Sequence, residues 1–214
     1  MSAPPLSRSF AILLPVKPSA VAKSRLQRLG DQVRRELVLA FAADTTVAAL
    51  GSRLVETVLA VTDDFQLARE LRRLGACVIP DGTVDLNGSL VQAAAEAGRR
   101  WPELWVAALC GDLPALRRDE LSMALAEAPS HCQSFVTDAA GVGTTMLVSP
   151  AHVPFAPRFG PGSRQAHLDA DAAELHLVNI PTLRRDVDTP GDLSAAVKLG
   201  VGEHTSKVTA RLMI

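Results

Sequence analysis

Phe10-Ala11-Ile12-Leu13-Leu14-Pro15-Val16 is an unbroken apolar run that stops at Lys17-Pro18. A run this short, closed by a charge and a turn former, marks a strand buried on both faces. The pattern recurs along the chain. Leu54–Val61 ends at Thr62-Asp63-Asp64, Ala76–Ile79 ends at Pro80, and Leu104–Cys110 (LWVAALC) ends at Gly111-Asp112-Leu113-Pro114. Helical patterns separate these strands. Asp31 is expected to cap a helix that runs to about Leu50, with Val33, Leu37, Phe41 and Ala48 as its apolar positions. Gln66–Leu74 reads as a helix stopped by Gly75, Ser89–Arg100 as an alanine-rich helix, and Arg118–Ala128 as a fourth. Strands alternating with helices of this length predict βαβ units and a mostly parallel sheet covered on both faces. Ligands of such sheets bind at the carboxyl ends of the strands.

The second half changes character. Gln133–Thr137 and Thr144–Val148 read as two strands joined around Asp138–Gly143, the antiparallel portion of the sheet. Pro150–Gly162 reads as a functional loop, and Leu175–Asn179 as a further strand. Thr189 is expected to cap a helix that has Pro190 at its first position and reaches Leu199. Glu203–Ile214 receives no assignment. No repeat or linker divides the chain, so residues 1–214 are expected to form one domain.

Composition narrows the function. The 214 residues are 48% apolar and 21% charged with a net charge of −1. That balance excludes a disordered chain and a strongly basic nucleic-acid binder. Only 4% are aromatic and none is Tyr, which disfavours stacking platforms for bases. Arginine outnumbers lysine 18 to 4, as coding bias alone would produce, so a lysine retained in a loop stands out. Cys77, Cys110 and Cys132 match no metal spacing and read as free thiols in a reducing cytoplasm. Nothing at the N-terminus reads as a signal peptide, and no apolar run is long enough to span a bilayer.

Charged residues collect where the strands end. Lys17, Lys23 and Arg25 follow the first strand, either as a polyphosphate-binding loop or as a solvated basic one. Two of the four lysines falling within seven residues favours phosphate. The loop is neither a Walker A motif nor a dinucleotide fingerprint. Asp112, at the end of the fourth strand, suits a divalent cation better than a mere helix cap, because Gly111 beside it permits close approach. Asp186 and Asp188 lie on one side of an extended Asp186-Val187-Asp188. Alone they read as a helix-start motif; with Asp112 they could form a three-carboxylate Mg²⁺ site. Asn87 either reads a nucleoside or caps the next helix. Gly141-Val142-Gly143-Thr144-Thr145 is equally a hairpin turn and an anion site. Arg158-Phe159-Gly160-Pro161-Gly162-Ser163-Arg164 could cradle a phosphate monoester. The five histidines form no ligand spacing, and no nucleophile elbow appears.

The stretches Leu14-Pro15-Val16-Lys17-Pro18, Ala22-Lys23-Ser24-Arg25-Leu26, Leu86-Asn87, Gly111-Asp112-Leu113-Pro114-Ala115-Leu116, Gly143-Thr144, Arg158-Phe159-Gly160-Pro161 and Asp186-Val187-Asp188-Thr189-Pro190 together resemble the guanylyltransferases of coenzyme F-420 biosynthesis. These act on 2-phospho-L-lactate or, in actinobacteria, on phosphoenolpyruvate. The resemblance spans nearly the whole chain. It implies a three-layer, Rossmann-like α/β fold of the nucleotide-diphospho-sugar-transferase type. The implied reaction joins GTP to phosphoenolpyruvate, giving enolpyruvoyl-2-diphospho-5′-guanosine and pyrophosphate. It implies Thr144, Gly160 and Ser163 on the acceptor, Mg²⁺ on Asp112, Asp186 and Asp188, the triphosphate on Lys17, Lys23 and Arg25, and Asn87 near the guanosine. Gly162 and Thr145 depart from the family pattern, which bears on the choice of acceptor.

The alternatives are 2-phospho-L-lactate or 3-phospho-D-glycerate as acceptor, a molybdenum-cofactor-type nucleotidyltransferase, and a non-catalytic nucleotide-binding regulator. The expected partners are GTP and the acceptor acid, with a homodimer left open and neither a membrane nor a nucleic-acid polymer.

Overall fold

The computed structural model describes residues 8–16, 30–83 and 85–212. Its centre is β1 (Phe10–Pro15), in which Phe10 to Leu14 are all 0% exposed. Such a strand needs a partner on each edge for its backbone groups. β2 (Val55–Val61) and β4 (Trp105–Leu109) supply them, both parallel to β1. β3 (Cys77–Ile79) extends the sheet parallel to β2. On the other side β6 (Thr144–Ser149) runs antiparallel to β4, β5 (Ser134–Thr137) antiparallel to β6, and β7 (Ala173–Glu174) parallel to β5. Among the described residues the sheet order is β3-β2-β1-β4-β6-β5-β7. This is the expected mostly parallel first half with an antiparallel portion contributed by the expected hairpin.

Alternation along β1 sets the layers. Phe10, Ile12 and Leu14 face one cluster, filled by Val38 and Ala42 of α1 (Asp31–Leu50), Leu67 and Leu71 of α2 (Phe65–Arg73), and Leu121 and Leu125 of α4 (Arg118–Ala126). Ala11 and Leu13 face the other, filled by Leu90, Ala93 and Ala97 of α3 (Leu86–Arg100), with Phe135 and Leu147 of the hairpin. A third cluster lies outside the sheet. There Leu37 and Phe41 of α1 meet Val187, Leu193 and Ala196 of the segment leading through α6 (Pro190–Leu199), and Val208 of α7 (Glu203–Leu212). The short α5 (Ser163–Leu168) follows the proline-rich loop.

Four expectations change. Gly30, not Asp31, is the N-cap of α1; Asp31 sits in the first turn and pairs with Arg34 at 3.0 Å. The helix expected from Ser89 begins at Leu86, because Asp85 caps it by accepting from Gly88 N. Asn87 is therefore inside the helix and not its cap. The strand expected over Leu175–Asn179 is instead the two-residue β7. After Leu175 N donates to Phe135 O the ladder ends, and Val178 lies 93% exposed. The pairing with β5 is not carried past Leu175. In the unassigned tail, Glu203–Leu212 is α7. The α6 start is as expected: Thr189 accepts from Asp192 N, Asp192 reciprocates, and Pro190 occupies the first turn.

α7 is held at its start by α1. The buried Asp44 carboxylate accepts from His204 N at 3.0 Å and Thr205 N at 2.8 Å. It does for α7 from a distance what a local cap does. Gly202 passes so close that a Cβ there would collide with the Asp44 carboxyl group. Asp44→Ala is expected to cost about 2 kcal/mol, since two buried amides lose their acceptor. Gly202→Ala should cost a similar amount by displacing the same carboxylate. Because the two act on one contact, the double variant should lose clearly less than the sum. Urea denaturation of the three proteins measures this, and simple additivity would refute the shared contact.

Candidate active site

The carboxyl ends of β1 and β4 open into a cleft of about 140 Å³, lined by Pro15, Leu86, Leu90, Ala108, Leu109, Cys110, Gly111, Asp112 and Phe159. This is where a parallel sheet places its ligands. A Cβ on Gly111 would sit 3.2 Å from Val16 Cγ2 and 3.4 Å from Pro15 O, so glycine lets the two strand ends approach. Asp112 comes next, half-buried. The segment after it is fixed to α1 by Leu113 N donating to Thr45 Oγ1 at 3.2 Å.

The backbone joins the two acidic stretches. Val187 N donates to Asp112 O at 3.1 Å, and Val187 itself is fully buried in the α1–α6–α7 cluster. Asp186 and Asp188 flank it, the first half-buried and the second exposed. The acidic stretches thus share one edge. Among the described residues, however, no three His, Cys, Asp or Glu side chains come together as a group that could hold a metal. The donors are all hard oxygens. Mg²⁺ usually takes one or two carboxylates and completes its octahedron with water and substrate phosphate. Such a donor set therefore fits Mg²⁺.

The start of α3 forms the opposite wall. Asp81 accepts from Thr83 N, Thr83 Oγ1 and Ser89 Oγ at 2.8 to 3.1 Å, which stiffens the turn before the helix. One position into the helix, Asn87 makes a two-point clamp on the loop across the cleft. Its Nδ2 donates to Phe159 O at 2.9 Å, and its Oδ1 accepts from Phe159 N at 2.8 Å. The side chain expected near a guanosine thus holds Phe159 against the cleft.

The loop before α5 contributes Phe159 to the cleft, and β6 is tied to that loop through His167. In the hairpin turn Asp138 Oδ1 accepts from Val142 N, and a Cβ on Gly143 would lie 2.5 Å from Asp138 Oδ2. The glycine keeps the turn closed. Because β6 runs antiparallel to β4, Thr144 at its start lies beside the end of β4, where Cys110 N bonds Thr145 O. Gly160 at φ +140° and Gly162 at φ +70° adopt backbone conformations that favour glycine. They bend the chain so that Ser163 enters buried, with its amide on Gly160 O. Arg164 does not serve the cradle expected of the loop. Its guanidinium holds Glu174 through contacts of 2.9 to 3.1 Å, and this pairing keeps the Glu174 carboxyl below the usual range.

Between these pieces lies a residue that the sequence reading passed over. His167 is 1% exposed, in ring contact with Phe135 and Phe159 at centroid distances of 5.4 Å each. Its Nδ1 is 3.0 Å from Thr144 Oγ1, and its Nε2 accepts from Arg158 N at 3.0 Å. Burial pushes its pKa down to about 4, with a backbone bond to Ser163 opposing and the Arg158 charge acting in the same direction as burial. Metal-ligand spacing was the wrong filter, because this histidine bonds to Thr144 and to the loop. Its place four residues after Ser163, in the first helix after the loop, was the available signal.

Thr144 is thus bonded to His167, His167 holds the loop that carries Gly160 and Ser163, and Asn87 holds that loop at Phe159. Asp112, Asp186 and Asp188 share another edge. Lys17, Lys23 and Arg25 lie outside the described residues. No helix among the described residues is long and apolar enough to cross a membrane.

Residues 10–214 match the protein family described as guanylyl transferase CofC-like. The chain is 48% identical over 205 residues to a phosphoenolpyruvate guanylyltransferase of Thermomonospora curvata, covering 95% of this chain and 90% of the relative. It is 46% identical to the protein of the same name from Streptomyces scabiei, covering 96% and 98%. The fold is similar to a crystal structure assigned as a nucleotide-diphospho-sugar transferase from Desulfovibrio desulfuricans G20. The TM-score is 0.70 at 18% identity, with 96% and 94% of the two chains covered. It is also similar to a cytidylyltransferase from Leptospira borgpetersenii, with a TM-score of 0.58 at 12% identity and the same coverage of each chain. At those identities the structural likeness speaks for the fold.

The low pKa of His167 has a stability consequence with a definite sign. An unfolded histidine takes a proton near pH 6.5, whereas folded His167 takes one only near pH 4. The neutral ring is therefore stabilising relative to the unfolded chain in full above pH ~6.5, and this advantage declines as the pH falls toward 4. At pH 5 the loss from this one group is roughly 2 kcal/mol. Urea melts at pH 7 and pH 5 should show a smaller drop for His167→Asn than for the wild-type protein. Equal drops would refute the assignment.

Proposed function

The chain belongs to the CofC-like guanylyl transferase family, and from that premise we propose that it joins GTP to phosphoenolpyruvate in the biosynthesis of coenzyme F-420. The products are enolpyruvoyl-2-diphospho-5′-guanosine and pyrophosphate. The observation that carries the choice of acceptor is the near full-length similarity to proteins named phosphoenolpyruvate guanylyltransferase.

A phosphate oxygen of the acceptor attacks the α-phosphorus of GTP in line. The new P–O bond forms as the bond to the bridging oxygen of pyrophosphate breaks, and the electron pair leaves with pyrophosphate. The attacking oxygen is already anionic at neutral pH, so no general base has to remove a proton. The main obstacle is repulsion between two anions. Chemistry of this kind is accelerated by positioning and by fixed opposite charge.

The residues divide accordingly. Thr144, Ser163 and the backbone at Gly160 would hold the acceptor's phosphate and carboxylate by hydrogen bonds. Asn87 holds Phe159, and with it the acceptor loop, against the nucleotide side of the cleft. Lys17, Lys23 and Arg25 would bind the triphosphate, Lys as a point charge and Arg as a two-pronged donor. Asp112, with Asp186 and Asp188 on the adjoining segment, would hold Mg²⁺. When bound, that ion supplies charge neutralisation on the phosphate oxygens. The apolar floor of Leu90, Ala108 and Leu109 limits water at the reacting phosphorus.

Pyrophosphate release tests the reading. The protein is incubated with GTP, Mg²⁺ and, in turn, phosphoenolpyruvate, 2-phospho-L-lactate or 3-phospho-D-glycerate. Release with phosphoenolpyruvate is expected; release with only another acid would change the acceptor, and silence with all three would defeat the enzyme. Asp112→Asn should lower kcat by roughly 100-fold, and near-normal turnover would remove Asp112 from the metal site. Ser163→Ala should raise the KM for the acceptor roughly 10-fold while leaving that for GTP nearly unchanged. Equal changes in both would take Ser163 off the acceptor.

A further inference from the structure

Two ends of one ring tie the acceptor wall together. Nε2 of His167 receives the Arg158 amide hydrogen, so it must carry a lone pair. A neutral imidazole has one ring proton, which is then on Nδ1. Nδ1–H faces Thr144 Oγ1 at 3.0 Å and donates to it, sharing the hydrogen with the Ser163 backbone. Among the described residues Thr144 Oγ1 has no other hydrogen-bond partner, so its own hydrogen remains for a further acceptor. A hydroxyl that receives one hydrogen bond is a better donor of the next.

The ring also sets the loop. By receiving the Arg158 amide it fixes the Pro157–Arg158 peptide, one residue before Phe159, whose two backbone groups are clamped by Asn87. Gly160 follows immediately, at φ +140°. The Phe135 and Phe159 rings pack against the imidazole, one tilted and one edge-on. Turning it over would set Nδ1–H against the Arg158 N–H and remove the donor from Thr144.

We propose that His167 is a positioning residue for the acceptor, a neutral Nδ1–H tautomer that turns the Thr144 hydroxyl hydrogen and the Arg158–Gly160 backbone toward the acceptor's anionic group. This rests on the acceptor assignment of Thr144, Gly160 and Ser163 made above. His167 itself transfers no proton and touches no substrate. Its effect is on which end of the Thr144 hydroxyl faces the ligand: a hydrogen, which an anion accepts, and not a lone pair, which repels it.

Two measurements on the full chain test this independently. In the first, the histidines are ¹⁵N-labelled and long-range ¹H–¹⁵N spectra are recorded, with His167→Asn identifying the signal. His167 should carry its proton on Nδ1 at pH 7 and keep that state down to about pH 5. Its Nδ1 signal should move when phosphoenolpyruvate is added with a nonhydrolysable GTP analogue. A proton on Nε2, or a signal unmoved by the acid, overturns the proposal whether or not the protein turns over.

The second measurement is kinetic. His167→Phe fills the space but makes neither bond, and should raise the KM for phosphoenolpyruvate about 10-fold or more while the KM for GTP changes less than about 3-fold. His167→Asn, whose amide can replace the donor toward Thr144, should recover part of that loss. Parallel changes in both KM values, or a folded His167→Phe with a wild-type acceptor KM, overturn the positioning role. A wild-type protein that releases no pyrophosphate with any acid defeats the functional reading instead, and the ¹⁵N signals then decide the positioning role alone.

Discussion

The complete desolvation of β1 is the constraint on which the rest depends. With Phe10 to Leu14 all at 0% exposure, any backbone group left without a partner would carry a penalty of about 1–3 kcal/mol. The strand must therefore be flanked on both edges and covered on both faces. β2 and β4 answer the first demand and the helices on either side the second. Because both flanking strands run parallel to β1, their carboxyl ends come out along one edge. Gly111 and Val16 are neighbours for that reason, although 95 residues apart in sequence.

The antiparallel half of the sheet serves a different purpose. A strand parallel to β4 would deliver its carboxyl end to the cleft. β6 delivers its amino end, Thr144, together with the tight turn that precedes it. The loop from 150 to 162 then needs only the short helix α5 to bring Ser163 and His167 back to the same place. Three elements distant in sequence are tied by four hydrogen bonds: two between Asn87 and Phe159, one from Arg158 to His167, and one between His167 and Thr144. Removing any one of them loosens a wall of the cleft without touching the sheet.

What was legible in the sequence follows from how local each signal was. The apolar runs of β1, β2 and β4, the Asp138–Gly143 hairpin and the Thr189-Pro190 helix start are local patterns, and all appear in the structure. The family resemblance carried the overall fold type, which no run of residues states by itself. The failures are non-local. Leu175–Asn179 has strand composition, but its pairing with β5 stops at Leu175. α7 has too few apolar residues to announce itself, and its start is capped by Asp44, 160 residues earlier. For the site, Thr144 bonds His167, which holds the loop that carries Gly160 and Ser163, and Asn87 holds the same loop at Phe159. His167 was invisible because its partners are a hydroxyl and an amide from elsewhere in the chain. The three aspartates share an edge through Val187 N and Asp112 O, and no sequence pattern shows such a backbone bond.

The Asp44 clamp on α7 also orders events in time. The third apolar cluster needs Leu37 and Phe41 from the first helix and Val208 from the last. During synthesis the first helix must wait, with that face uncovered, until nearly the whole chain has emerged. Contacts of such long sequence separation are closed late and at high entropic cost. The same seam that finishes the fold is therefore the part most exposed to misassembly on a crowded ribosome.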